Sequence, residues 1–284
     1  MEWNVMTFNL RVDAGTAPED AWSSRSARVA AVIARHAPHV VGTQEGTRAM
    51  LDLLRGQLGD YAYVGEGRSR ERADEYCAIW YDTRALEAVE SGQFWLSEQP
   101  DAPGSVSWGS AYPRICTWAR MRATDGSDGQ LLVCNTHLDH ISQPAREAGA
   151  CLLWTRLRQL CADTGLPALL TGDFNAEPDN AAIRFLRGEQ ELQGMRANLR
   201  DAYSLTADLP TAAPAPRQGS TAACGAAGYG ATFHDFRGGE AGAPIDYIFA
   251  TPGLSFRGTQ VVRERVGGRF PSDHYPVITT VASG

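Results

Sequence analysis

The sequence predicts an α/β protein built on a mixed sheet, and three observations carry that reading. Short apolar runs alternate with amphipathic helical stretches from the amino terminus onward, in strand–helix–strand–helix order. Two consecutive strands near the middle, flanking a turn with Gly126 and Gly129, read as an antiparallel hairpin. Nearly every apolar strand begins or ends beside an acid, an amide or a histidine.

Taken in order, Glu2 to Phe8 reads as a buried strand that runs into Asn9 and Arg11. Ala21 to His36 has helical spacing, with Trp22, Val29, Val32 and Ile33 able to share a face, and Pro38 stops it. Val40 and Val41 begin a strand that ends at Thr43-Gln44-Glu45. A second helix follows, with Met50, Leu51, Leu53, Leu54 and Leu58 on its apolar side. Tyr61 to Val64 and Glu75 to Tyr81 are strand-like, separated by a charged loop, Arg68 to Asp74. Residues 91–113 read as loop, with Phe94, Trp95, Trp108 and Tyr112 among Gly, Ser and Pro. Such rings either line a ligand cleft or cap the core. Arg114 precedes the strand Ile115 to Met121, and Leu131 to Cys134 leads into Asn135-Thr136-His137-Leu138-Asp139-His140. Ala145 to Cys161 is helical. The apolar run Leu166 to Leu170 then breaks into Thr171-Gly172-Asp173-Phe174-Asn175, where continued strand geometry would place Asp173 and Asn175 on one face. Asp179 to Leu186 is a short helix, and Thr206 to Gly230, rich in Ala, Pro and Gly, is a long surface loop. The chain returns to strands at Thr232 to His234, Ile245 to Ala250, Phe256 to Arg263 and Val277 to Val281.

The 284 residues are 43% hydrophobic and 21% charged, enough apolar content for a sizeable core. The net charge of -7 disfavours a long polyanion as main partner, because phosphate contacts dominate such affinity. None of the six cysteines forms a C-x-x-C pair, and several fall in apolar runs, so they read as reduced core residues. No apolar stretch is long enough to span a bilayer. The expectation is a cytoplasmic monomer with no membrane partner.

One polar turn after a strand means little; seven of them, from Asn9 to His274, imply a site gathered at a sheet edge. The segments Thr7-Phe8-Asn9-Leu10-Arg11, Thr43-Gln44-Glu45, Asn135-Thr136-His137-Leu138-Asp139, Gly172-Asp173-Phe174-Asn175, Ile245-Asp246-Tyr247-Ile248 and Ser272-Asp273-His274-Tyr275-Pro276-Val277 resemble, in order, the motifs of the endonuclease/exonuclease/phosphatase superfamily. That resemblance covers essentially the whole chain. It implies a single domain and a four-layer α/β sandwich, with two mixed β-sheets face to face and helices outside, as in deoxyribonuclease I-like proteins. It also implies roles. Glu45 would be the main ligand of a divalent cation, with Asn9 close by and Asp273 in the metal shell. Asp173 would orient or deprotonate water, and Asn175 would hydrogen-bond the phosphoryl group. His274, just before the terminal strand, would donate to a phosphate oxygen or act as acid/base, held by Asp246 on the strand expected to neighbour it. His137 would be a second phosphate-side histidine, oriented by Glu75. Arg11, Arg114, His234 and Trp108 are candidates for substrate contacts.

Oxygen-rich ligands suit Mg²⁺ or Mn²⁺. The expected chemistry is hydrolysis of a small phosphodiester or phosphomonoester by water attack at phosphorus. A DNA or RNA nuclease is the alternative within the same chemistry, and a catalytically inactive phosphate-binding module the alternative outside it. Retention of Glu45, Asp173 and His274 speaks against the inactive module.

Overall fold

The computed structural model describes residues 2–15, 17–204 and 226–283. Most of the expected 206–230 loop therefore lies outside the described residues, and Ala226–Tyr229 forms a short 3-10 turn. Twelve strands and four helices are described: β1 (Glu2–Asn9), α1 (Trp22–His36), β2 (Val40–Thr47), α2 (Arg48–Leu58), β3 (Tyr61–Val64), β4 (Glu75–Asp82), β5 (Leu86–Trp95), β6 (Ile115–Ala123), β7 (Gln130–His137), α3 (Gln143–Thr164), β8 (Ala168–Asp173), α4 (Ala181–Leu186), β9 (Arg200–Asp201), β10 (Asp246–Ala250), β11 (Leu254–Val261) and β12 (Val277–Ser283). They form two six-stranded mixed sheets, in the orders β11-β12-β1-β2-β4-β3 and β5-β6-β7-β8-β10-β9.

Strand alternation assigns the layers. On β1, Trp3 and Val5 join the core shared with the second sheet, while Met6, Phe8 and Leu10 join a separate core with α1 and α2. The period of two thus places Asn9 on the inward face, with Trp3, Val5 and Thr7. Leu153, Trp154 and Leu157 of α3 and Ile183 and Phe185 of α4 cover the other side of the second sheet. Helix, sheet, sheet, helix is the expected four-layer sandwich.

Each sheet contains one parallel pair, β1 with β2 and β7 with β8. Helix α1 makes the first crossover and α3 the second, as parallel pairing requires. Helix starts are capped by Thr47, whose side chain accepts from Met50 N–H, and by Ser142, which accepts from Ala145 N–H. Gly165, with φ 70°, closes α3 in the left-handed region.

A polar seam joins the sheets through the interior. Asn135 on β7 donates to the carbonyls of Thr43 (2.8 Å) and Ala78 (3.0 Å) on the opposite sheet, and its Oδ1 accepts from Gln44 (2.7 Å) and Thr171 (3.0 Å). Gly42 lets the sheets approach there: a Cβ at that position would lie 2.2 Å from Thr171 Oγ1 and 2.7 Å from Asn135 Oδ1.

Three expectations need correction. Residues 91–95 belong to β5, which among the described residues is an edge strand paired with β6, so the rest of the 91–113 stretch is loop. Thr232 to His234 is no strand: Phe233 makes an isolated bridge to His274. The terminal strand β12 is not beside β10 but in the opposite sheet, so Asp246 and His274 meet across the sandwich.

Candidate active site

The inward residues at the ends of the central strands converge on one cleft. Asn9 reaches it by plain alternation. Glu45 does not: on β2, Val40 and Gln44 face inward while Val41 and Thr43 face the helices, so regular geometry would turn Glu45 away. Between Thr43 and Gly46 the register with β4 slips, and Glu45 adopts φ 65°. This bulge re-aims its side chain into the cleft. Its Oε1 accepts from Asn9 Nδ2 at 2.9 Å and its Oε2 from Val12 N–H at 2.8 Å. Burial works against its charge, yet those bonds, with His274 and Arg11 nearby, hold the carboxyl below the usual glutamate range.

Asp173 ends β8 on the inward face and is the hub. Its Oδ2 accepts from the same Asn9 amide at 2.9 Å and lies 3.5 Å from His137 Nε2 and 3.8 Å from His274 Nε2. Its Oδ1 accepts from Asn175 N–H at 2.9 Å. In the ladder Asp173 stands directly opposite Asp246. Burial first, and the like charge of Asp246 second, raise Asp173 to about 7, against the pull of His274. His274 answers this pair of acids. Its Nδ1 lies 2.8 Å from Asp246 Oδ2. Burial disfavours the imidazolium, but Asp246, then Asp173 and Asp273, outweigh it and push His274 up to about 10. His137 goes the other way: burial, then Arg114 and Arg68, hold it well below the ordinary histidine range. Its Nε2 accepts from Asn175 Nδ2 at 2.9 Å, which leaves the ring proton on Nδ1.

The donor set suits a hard cation. Ligand atoms of Glu45, His137 and Asp173 lie within 4.8 Å of one another, as do those of Asp173, Asp246 and His274. The first group faces the Glu45 side of the cleft, where a raised, fully buried carboxyl stands beside a lowered one. A divalent cation would relieve the cost of ionising Asp173 there.

Some expected residues are placed differently. Glu75 does not hydrogen-bond His137; it pairs with Arg68 Nη2 at 2.8 Å, and burial raises it to about 7. Asn175 has left the strand, at φ 47°, and its amide N–H groups go to His137 and the Leu138 carbonyl rather than outward. Asp273 pairs with Arg11 at 3.6 Å and stands outside both metal-competent groups. Trp108 does not line the cleft; its carbonyl accepts from Ser142 Oγ. His234 is a core histidine, stacked on Tyr275 at 3.9 Å and packed on Phe270. Arg11 and Arg114 do line the cleft, whose volume is about 400 Å³. So does Tyr112, one of the rings expected either to line a cleft or to cap the core, and so do Arg68, His140 and Phe233, to which the sequence assigned no role. Arg68 was hidden in a charged loop that looked solvated, and only its burial against Trp95 and Glu75 distinguishes it.

Among the described residues no helix is long and apolar enough to cross a membrane. The five described cysteines are free thiols, as expected of core residues.

Comparison with known proteins adds an independent line. Residues 6–274 match the sequence profile of the Endonuclease/Exonuclease/phosphatase family. A family member of known structure from Bacteroides thetaiotaomicron superposes with a TM-score of 0.82 at 29% identity, over 100% of this chain and 98% of that one. A mannosyl-6-phosphatase from the same species gives 0.81 at 29% identity, over 98% and 99%. The catalytic domain of human Nocturnin, at 17% identity, shares the fold with a TM-score of 0.69, over 100% and 95%. No curated protein matches in sequence. Because the profile match spans both sheets and every cleft residue from Asn9 to His274, the chain belongs to the endonuclease/exonuclease/phosphatase family of phosphoester hydrolases.

Proposed function

We propose that the protein is a divalent-metal-dependent hydrolase of a small phosphoester, monoester or diester, and that the chain works as one catalytic domain. The observation that carries this reading is the hub at Asp173. A raised carboxylate is held by Asn9 and Asn175, between a neutral His137 and a protonated His274. Phosphoryl transfer asks for little more than positioning and charge stabilisation.

Asp173 is the group that takes a proton from the attacking water. Its raised pKa makes it a better base than an ordinary aspartate, and its two backing hydrogen bonds fix its oxygens. His274 presents Nε2–H to a non-bridging phosphoryl oxygen, with Asp246 holding Nδ1. His137 offers Nδ1–H as a second donor. Glu45 and Asn9 would hold Mg²⁺ or Mn²⁺, which when bound spreads charge off the phosphoryl group. Several features favour a small substrate over nucleic acid. The cleft is about 400 Å³, the size of a small-molecule pocket. The net charge is -7, and one similar structure is that of a mannosyl-6-phosphatase rather than a nuclease.

A panel of phosphomonoesters, phosphodiesters and oligonucleotides, assayed with Mg²⁺, Mn²⁺ and EDTA, tests the reading. Turnover of small esters that vanishes in EDTA is expected. Full activity in chelator, or salt-sensitive plasmid nicking faster than any small ester, would overturn it.

A further inference from the structure

Arg114 is costly as a mere core residue. It is 5% exposed, yet its Nε and Nη1 are buried with no hydrogen-bond partner among the described residues. Nε approaches Asp139 only to 3.6 Å, and Nη2 lies 3.0 Å from His140 Nδ1. Buried donors left unused forfeit their solvation without compensation, so such a group asks for a ligand. Arg114 lines the cleft, next to Arg68 and Glu75. Arg68 donates to Asp74 at 3.1 Å and Glu75 at 2.8 Å, and the Tyr112 ring lies 4.8 Å from its guanidinium. Tyr112 is 50% exposed, and its ring is within 16° of parallel to that of His140.

The charges on this wall decide what it can take. Arg68 already faces two carboxylates and Arg114 faces Asp139, so a second anion would meet as much repulsion as attraction. Hydroxyl groups fit better. Each has one proton to give and lone pairs to fill, and a guanidinium beside a carboxylate serves both halves at once. Flat aromatic faces cover the C–H surface between hydroxyls. We infer that Arg68, Glu75, Arg114 and Tyr112 form the subsite for the alcohol part of the substrate, and that it selects a polyhydroxylated group of sugar or polyol size. The inference rests on the phosphoester reading of the cleft.

The test is a ratio: kcat/KM for hydroxylated esters (aldohexose 6-phosphates, ribose 5-phosphate and glycerol 3-phosphate) over kcat/KM for n-hexyl and phenyl phosphate. In the wild type the best hydroxylated ester should lead by about 10² or more, since a site built to bond hydroxyls rejects analogues lacking them. Arg114→Met should reduce that ratio at least about tenfold, and Tyr112→Ala should reduce it in the same direction. Circular dichroism monitors folding, and Tyr112→Ala, at a half-exposed position, carries the test should Arg114→Met not fold. A wild-type ratio near one, or a ratio preserved in the folded variants, overturns the subsite while the phosphoester reading stands. Equal loss on both ester classes likewise overturns it, by placing Arg114 on the phosphate. Hydrolysis of no ester overturns both.

Discussion

Each sheet contributes a parallel strand pair joined by a helix, β1–α1–β2 in one and β7–α3–β8 in the other, and each delivers its polar groups at the carboxyl ends of those strands. The means differ. In the second sheet, regular strands simply stop: His137 and Asp173 are last residues on the inward face, paired with each other in register. In the first sheet only Asn9 follows the pleat, while Glu45 needs a bulge and a left-handed residue to face the same way. The proton-handling groups thus sit on regular strand ends, backed by Asn175, whose φ of 47° an asparagine tolerates. The cation-holding side rests on a local irregularity that Asn9, Val12 and the helix cap at Thr47 keep in place. Substitutions on the two sides should therefore fail in different ways.

The largest effect should come from the regular side. Asp173→Asn keeps size and loses the accepting charge; single-turnover hydrolysis should fall by roughly 10⁴ with the fold intact by circular dichroism. A folded, active Asp173→Asn would remove the hub. On the irregular side, Glu45→Gln should instead raise the Mg²⁺ or Mn²⁺ needed for half-maximal rate by roughly 10-fold to 100-fold, with much of the rate recovered at high metal. Metal titration of both variants separates the two behaviours, and an unchanged metal requirement in Glu45→Gln would erase the contrast.

The pair that bridges the sheets tests whether they act as one. His274→Ala should slow the chemical step by roughly 10² to 10⁴, Asp246→Asn nearly as much, and the double variant little more than His274→Ala. Multiplicative losses would show two independent contributions. The same pair sets a pH dependence in metal-free protein. His274 is raised from 6.5 to about 10, so the folded state keeps a proton that the unfolded state releases. Its stabilisation is complete below about 6.5, declines as pH rises, and is gone above about 10. Asp173, raised from 3.8 to about 7, adds a decline of the same sign at lower pH. Denaturant melts from pH 7 to 10 should show the slope, and His274→Gln should flatten it.

The smallest effect on chemistry should come from the seam. Gly42→Ala puts a methyl group against Thr171 and Asn135 and should cost about 1–3 kcal/mol, read as a lower melting temperature, while the metal requirement stays as it was.

The contrast between the sheets also explains what the sequence made legible. Strands such as Val40–Val41 and Leu169–Leu170 carry enough apolar residues to be read directly, and a turn residue after each marks where chemistry can sit. Edge strand β5 was not legible, because Glu87 to Gln93 are exposed or only half-buried, without the alternation of a covered strand. Asp173, Asp246 and His274 were found because acids and histidines beside buried strands are expensive. Arg68 and Phe233 were missed because loop residues reveal a role only once the loop is folded over a cleft. The Glu75 pairing failed for a similar reason: a closer cation, Arg68, competes with His137, and spacing along the chain does not show it.

The seam at Asn135 has a further consequence, for how such a protein could change its diet. Sliding one sheet past the other by one residue, about 3.3 Å, would break the bonds of Asn135 to Thr43, Ala78 and Gln44 together. The spacing between the Asn9–Glu45 edge and the His137–Asp173 edge is therefore gauged deep inside, by residues no substrate touches. The walls that meet the substrate hang outside that gauge, one on the Arg68–Asp74 loop and the loop before Arg114, the other on the segment from Thr232 to Ile245. Either wall can be rebuilt, lengthened or exchanged while the reacting groups keep their separation, so new specificities are reachable without re-inventing the chemistry.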